Sequence, residues 1–296
     1  QGAGGLQQTR APIRAATGLE LLHSLSKVFR TRLLTALIVV PLTVFVVGRG
    51  GVWLFGFVAA LLSVAILEFC RMMERRHFHP PLLFALAMLW VLLLDAQFPQ
   101  WGALEPGLTL VLLASLAWQL AHREGSPAAN WALGIAGPLY VGWCGAYIIR
   151  LRSLPEGEWW LLTALPAIWL ADSGAYLVGR MWGRHRLAPT LSPGKTWEGY
   201  VGGVLIGTLA TAGLVAIWGR WSGPLGPTPL DGLSIGLLIG MLAPLGDLVI
   251  SMMKREAGVK DTGMLFPGHG GALDRIDSAL WAVVIGYYFA VWVRGL

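Results

Sequence analysis

The chain has 296 residues, 55% of them hydrophobic and only 13% charged, with a formal net charge of +6. Soluble domains carry about 25% charged residues, so this composition excludes a string of soluble domains and points to one polytopic membrane bundle. Two cysteines, Cys70 and Cys144, both inside apolar runs, exclude a thiolate metal site and read as small packing residues.

In chain order, residues 1–31 read as an N-terminal tail. It is low in acid, starts without Met, and suits a remnant of expression, a processed terminus or a flexible segment; Arg10 and Arg14 hint at a transit-type peptide. Leu19, Leu22, Leu25, Ser26 and Phe29 recur at helical spacing beside Lys27 and Arg30. That pattern fits an amphipathic helix on an anionic membrane surface, or an extension of the first span.

Apolar segments then recur, and a crossing of the hydrocarbon needs about 20 residues. They fall near 32–48, 52–70, 81–95, 105–121, 131–149, 159–179, 200–218, 233–253 and 278–294. The fold class is therefore all-α and integral to the membrane, a polytopic bundle of about nine transmembrane helices. The third and fourth segments are short and flanked by Pro80, Pro81, Pro99 and Pro106. Residues 32–153 form an N-terminal set of spans without polar motifs, and residues 154–296 a C-terminal catalytic region.

Nine spans put the termini on opposite sides. With the N-terminus inside, every basic residue of the 22 except Arg49, Arg150, Arg152, Arg220 and Arg294 falls on the inner side. The positive-inside rule thus predicts a cytoplasmic N-terminus, and places loops 180–199 and 254–277 on that same face. Gly199, Gly203 and Gly207, and then Gly236 and Gly240, form G-x-x-x-G stripes, which predict close packing of the seventh and eighth spans.

Three stretches carry chemistry. In the sixth span Asp172 stands in an apolar helix, where an ionised carboxylate is costly unless paired or hydrated. Asp172, Tyr176 and Gly179 share a face that should line a wet cavity; a structural Asp paired with a base is the other reading. Next comes S-P-G-K-T-W-E-G at 192–199. Pro193 and Gly194 predict a turn with free N–H groups, to which Ser192, Lys195 and Thr196 add donors just before a helix start. That geometry suits phosphate, whereas an ordinary cap by Thr196 or Ser192, with Glu198 near the positive end, is the plain alternative. The Walker A spacing is absent.

The third stretch, 244–278, holds Asp247, Glu256, Asp261, Asp274 and Asp277 among only 16 acidic residues. Lys254, Arg255, Lys260, His269 and Arg275 are interleaved with them. Carboxylate oxygens suit hard divalent cations, and clustered bases suit phosphate. Asp247, Ser251 and Lys254 share one helical face, while Asp274 and Asp277 open the last span together. In G-H-G-G at 268–271, Gly270 and Gly271 let the backbone approach a ligand closely, and His269 is a candidate phosphate donor or general acid.

The run S-M-M-K-R, four residues, then K-D-T-G-M-L-F-P-G-H-G-G-A-L-D-R-I-D, from Ser251 to Asp277, resembles the signature of the phosphatidate cytidylyltransferases, the CDP-diacylglycerol synthases. The likeness extends to Gly246–Asp247, to 192–199 and to 172–180; Ala272 departs from it, where the family usually has a larger aliphatic residue. The resemblance implies a magnesium-dependent membrane enzyme that joins CTP to phosphatidate and releases pyrophosphate. It implies Asp247 and Asp274 as metal ligands and catalytic residues, with a second, monovalent ion such as K+ nearby. It further implies a homodimer, with no nucleic-acid partner.

On this reading Lys254 and Lys260 are catalytic. Ser192, Pro193, Gly194, Lys195, Thr196, Arg255, Asp261, His269, Gly270, Gly271, Arg275, Asp172 and Tyr176 bind substrate. Glu198 and Asp277 support the ligands from behind. The expected setting is a bacterial inner or plasma membrane with the site on the cytoplasmic side. Two rivals remain open: a CTP-dependent enzyme acting on another lipid phosphate or lipid alcohol, and an ion-coupled transporter using Asp172 and Asp247. The transporter predicts matching interrupted helices in both halves, yet polar motifs occur only after residue 170.

Overall fold

A computed structural model describes residues 41–263 and 270–296. The first half of the first predicted span, residues 32–40, therefore lies outside the described residues, as do the amphipathic stretch before it and His269; residues 41–49 are helical. The helices that follow are α1 (Gly51–Glu74), α2 (Leu82–Gln97), α3 (Leu104–Ala121), α4 (Pro127–Ser153) and α5 (Gly157–Trp182). A short hairpin, β1 (Arg186–Ala188) and β2 (Ser192–Thr196), leads into α6 (Trp197–Trp218), α7 (Pro229–Leu242), α8 (Pro244–Glu256) and α9 (Leu273–Arg294). Seven helical stretches among the described residues are long and apolar enough to cross a membrane, with α7 and α8 together making one of them. In lipid a backbone must satisfy its own polar groups, and the helix does so within one segment. The chain is thus an all-α membrane protein in its spans, with a hairpin added that the apolar pattern did not predict.

Helix α2 has 16 residues and spans about 24 Å at 1.5 Å per residue, short of the roughly 30 Å hydrocarbon layer. The continuous helix expected over 233–253 is broken at Ala243, ahead of Pro244. Pro244 has no N–H to give the Gly240 carbonyl, so the i to i−4 ladder stops there. The Tyr200 hydroxyl donates to the Met241 carbonyl at 2.9 Å, satisfying a neighbouring acceptor from another helix. Broken helices occur at membrane depth where they line a cavity, and Gly240 and Pro244 both do so here.

Small residues set the packing in the C-terminal half. Gly203 faces the Ala171 carbonyl and Ala175, and Gly207 faces Ala171, so the first glycine stripe closes α6 onto α5. The expected partner of that stripe was the eighth span. The second stripe supplies that contact: Gly236 lies on Thr208 and Thr211, and Gly240 on Val204. Two stripes on successive helices therefore stack α5, α6 and α7 at close range. The main core is built around α9, which packs on α1, α4, α5, α7 and α8 and buries Leu280, Val283 and Ala290 against residues such as Leu62, Ile149 and Trp160.

The two ends of the bundle differ. At one end Arg152 donates to the Val47 and Gly48 carbonyls and to Glu158, Arg294 pairs with Asp231, and the Trp160 indole donates to the Leu225 carbonyl. Thr228 and Asp231 form a capping box there at the start of α7. The other end holds the hairpin, the α8–α9 connection and most of the basic residues. Exposed tryptophans mark both levels: Trp53, Trp221 and Trp292 at the first, Trp118, Trp182 and Trp197 at the second. Such aromatic belts sit at membrane–water interfaces.

A Cβ at Gly203 would lie 2.7 Å from the Ala171 carbonyl oxygen, which neither backbone can relieve without separating the helices. Gly203→Val is expected to cost about 1–3 kcal/mol through overpacking. Thermal unfolding in detergent should show a lower midpoint than for a Val placed at the open Gly213, where no atom lies within 4 Å of an added Cβ.

Candidate active site

A cavity of about 580 Å³ opens at the basic end of the bundle. Its walls come from α5 (Asp172, Tyr176, Arg180), the hairpin (Arg186, Gly194, Lys195), the start of α6 (Tyr200), the helix break (Pro244, Asp247) and the start of α9 (Asp274, Arg275, Asp277). The two stretches that read as chemically rich, 172–199 and 244–278, meet around this one space.

Four carboxylates face it, and their charge is balanced locally. The Lys195 ammonium lies 2.5 Å from Asp247 Oδ2, and Ser251 approaches the other oxygen at 3.4 Å. Lys254 Nζ lies 2.7 Å from Asp274 Oδ1, a pair with side chains only 10% and 6% exposed. Asp274 Oδ2 accepts from the Thr262 and Gly271 N–H groups at 2.9 and 3.0 Å, and the Thr262 hydroxyl lies 3.0 Å from it. Asp277 is buried, accepts from the Ser278 N–H and meets the Asp247 carboxyl side by side. Two carboxyls in contact require a shared proton or a cation between them. Asp172 is open to the cavity, where Lys195, Arg275 and Asp247 are its charged neighbours.

The 183–199 segment differs from its expected form. The turn lies at 189–191, and Pro193 and Gly194 are inside β2. Between the Arg186–Thr196 and Ala188–Ser192 pairs, β2 advances four residues for two of β1. The bulge falls where Pro193 has no N–H for a ladder, and it turns Lys195 towards Asp247. Arg186 clamps the bulge by donating to the Pro193 carbonyl at 2.7 Å. Thr196 caps α6 by accepting from the Gly199 N–H, and the Trp197 N–H is spent on the His185 carbonyl. Glu198 accepts from the Arg184 and His185 N–H groups and the His185 ring. The start of α6 is therefore a capped helix end, and Glu198 holds the hairpin rather than reaching the cavity.

Other expected residues lie apart. Ser192 and Pro193 belong to the strand but do not line the cavity, and Arg255 donates to the Leu191 and Val259 carbonyls, tying hairpin to α8. Lys260 and Asp261 are exposed on the α8–α9 connection. Gly270, at φ +85°, adopts a backbone conformation that favours glycine and passes over the Asp274 carboxylate, as Gly271 does through its N–H.

Residues to which the motifs assigned no role in the site also line the cavity. Arg180 donates to the Tyr176 hydroxyl at 3.0 Å, and Arg186 and Tyr200 stand beside Lys195 in the wall. Arg180 closes the 172–180 run without having been given a role, Arg186 was legible only as part of a basic loop, and Tyr200 as one aromatic among many. Among the described residues no group of three or more His, Cys, Asp or Glu side chains is arranged to hold an ion by itself.

This chain matches the cytidylyltransferase family over residues 30–293. It is 34% identical over 266 residues to the phosphatidate cytidylyltransferase of Bacillus subtilis, covering 88% of this chain and 96% of that protein. It is 32% identical over 296 residues to that of Synechocystis, with the same coverage, and 31% identical over 263 residues to that of Staphylococcus epidermidis, with 86% and 96% covered. The chain belongs to the cytidylyltransferase family.

Removing one partner of a buried ion pair strands the other charge, at about 3–5 kcal/mol. Lys254→Met is therefore expected to lower the unfolding midpoint strongly. The double variant Lys254→Met/Asp274→Asn should recover part of that loss, because it removes the stranded charge as well. A double variant as unstable as the sum of its single changes would show that the two groups do not interact.

Proposed function

Starting from membership of the cytidylyltransferase family, we propose that the chain is a CTP:phosphatidate cytidylyltransferase, a nucleotidyltransferase of phospholipid biosynthesis. A phosphatidate phosphate oxygen forms a bond to the α-phosphorus of CTP, the bond from that phosphorus to the bridging β-phosphate oxygen breaks, and pyrophosphate leaves. The products are CDP-diacylglycerol and pyrophosphate. The observation that carries this reading is the cavity in which four carboxylates and several bases alternate at the headgroup end of the bundle.

The attacking group is already an anionic oxygen, so no Ser, Cys or His nucleophile is needed. The obstacle is repulsion between two polyanions, and catalysis of phosphoryl-type transfer is mostly positioning and charge stabilisation. Lys195, Arg180, Arg186 and Arg275 surround the space that the triphosphate and lipid phosphate would share. Lys195 stands at the tip of the bulge, free to exchange Asp247 for a phosphate. Asp172 and Tyr176 form the polar wall on α5.

The donor set fits magnesium: Mg2+ is ordinarily held by one or two carboxylates plus substrate phosphates rather than by an all-protein cage. Asp247 and Asp274 would hold it, Asp277 would support Asp247, and a monovalent ion such as K+ would take the remaining oxygens. When bound, Mg2+ neutralises the triphosphate and stabilises the departing pyrophosphate. The protein's part is to keep the two carboxylates on α8 and α9 aimed at one space.

Nine spans, a cytoplasmic N-terminus and a cytoplasmic site are the topology we favour, supported by the basic residues gathered at the cavity end and by the run of apolar helices. A bacterial inner membrane, a homodimer and a catalytic region over 154–296 complete the reading. It accounts for the fold: one substrate is soluble and anionic while the other keeps its chains in lipid, so the site must sit at headgroup level.

Purified protein given labelled CTP and phosphatidate should form CDP-diacylglycerol and pyrophosphate in equal amounts, only with Mg2+. Asp247→Asn should lose at least ~100-fold in kcat, on the order of removing one charge-stabilising group, while staying folded. Product from a different lipid phosphate alone would change the substrate and keep the chemistry. No turnover of CTP with any lipid would overturn the proposal.

A further inference from the structure

Glu68 lies on α1, in the half of the chain that otherwise contributes apolar spans, and it is only 6% exposed. A carboxylate at such a place is costly and marks function unless it is paired. Among the described residues its hydrogen-bond partners are Thr262 on the α8–α9 connection and Leu273 at the start of α9. Glu68 Oε2 accepts from the Leu273 N–H at 3.0 Å, and the Thr262 hydroxyl lies 3.0 Å from the same oxygen. Leu273 opens α9, and its N–H is one of the donors that a helix start leaves without an internal partner. A side chain from the N-terminal half therefore caps the helix whose next residue is Asp274.

Thr262 links the two carboxylates. Its hydroxyl is 3.0 Å from Glu68 Oε2 and 3.0 Å from Asp274 Oδ2, and it has one proton to give. Its N–H is already committed to Asp274 at 2.9 Å. Gly263 and Gly271 make room for the arrangement, since a Cβ on either would overlap the Glu68 carboxylate. The same carboxylate thus touches Gly263, Gly271 and Leu273, and closes both ends of the connection around Asp274.

We propose that Glu68 is a positioning residue for nucleotidyl transfer, holding Thr262 and the start of α9 so that Asp274 keeps Oδ2 on its backbone donors and presents Oδ1, paired with Lys254, at the cavity wall. This rests on the reading that Asp274 works in the transfer. A purely structural Glu68 would stabilise the fold without setting the behaviour of Asp274. Groups that orient a ligand from behind commonly cost about 10–100-fold in affinity or activity when changed.

The test uses the full chain in detergent micelles, with Glu68→Gln, Thr262→Val and Thr262→Ser. Three quantities are read: kcat and KM for CTP and phosphatidate, the Mg2+ concentration for half-maximal rate, and the shift in unfolding temperature caused by Mg2+ alone. Glu68→Gln and Thr262→Val should lower kcat by about 10–100-fold and raise the Mg2+ requirement. The phosphatidate KM should barely move, and the Mg2+-induced thermal shift should shrink. Thr262→Ser restores the hydroxyl and should recover most of what Thr262→Val loses.

Wild-type kcat and Mg2+ response in Glu68→Gln would overturn the inference while leaving the proposed reaction intact. Losses that merely follow the unfolding temperature, with Thr262→Ser no better than Thr262→Val, would also overturn it. If the wild-type chain turns over no phosphatidate, yet its Mg2+-induced shift depends on both Asp274 and Glu68, the positioning role stands and the assigned lipid falls.

Discussion

Charge neutralisation inside an apolar bundle is the constraint on which the rest of the structure depends. Asp247 and Asp274 sit at helix positions where an unpaired carboxylate would be costly, and each is met by a lysine from a different element. These pairs fold the molecule, since Lys195 brings the hairpin to α8 and Lys254 brings α8 to α9. They also leave the site poised. A pair of opposite charges at the edge of a 580 Å³ cavity can be opened by a ligand carrying both signs, such as a nucleoside triphosphate with its metal.

The scaffold makes that arrangement stiff. Glycine stripes draw α5, α6 and α7 together, and the break at Ala243 lets α8 carry Asp247 into the cavity wall. Helix α9 starts at the site and runs through the main core, so Asp274 and Asp277 are anchored by a helix that packs on α1, α4, α5, α7 and α8. Its start is capped from α1 by Glu68. The site thus draws on both ends of the sequence, although its motifs lie almost entirely in the C-terminal half.

Much of this was legible in the residues alone, for a physical reason. In an apolar chain each polar residue stands out, so Asp172, Lys195, Asp247, Asp274, Arg275 and Asp277 could be read as one cavity once the loops shared a face. The helix start at Trp197 was ambiguous, because the same Thr and Glu serve as cap or as ligand cradle; the bonds from Gly199, Arg184 and His185 show the cap, while Gly194, Lys195 and Thr196 still line the cavity. The partner of the first glycine stripe was not legible, since a stripe predicts closeness without naming the neighbour. The break before Pro244 could have been foreseen from the missing N–H. Glu68 could not: a lone acid near the end of an apolar span has no pattern around it, and its partners lie about 200 residues away.

On the proposed reading, Asp247 repels the nucleotide unless a cation intervenes, while Lys195 attracts it. Calorimetric CTP binding to the full chain in detergent, with and without Mg2+, tests this most directly. The account predicts that Asp247→Asn binds CTP more tightly than wild type when Mg2+ is absent and loses the gain that Mg2+ gives wild type. Lys195→Met should bind more weakly in both conditions, with about 1.4 kcal/mol for each tenfold. Asp247→Asn and Lys195→Met binding CTP as wild type does, with and without Mg2+, would contradict it.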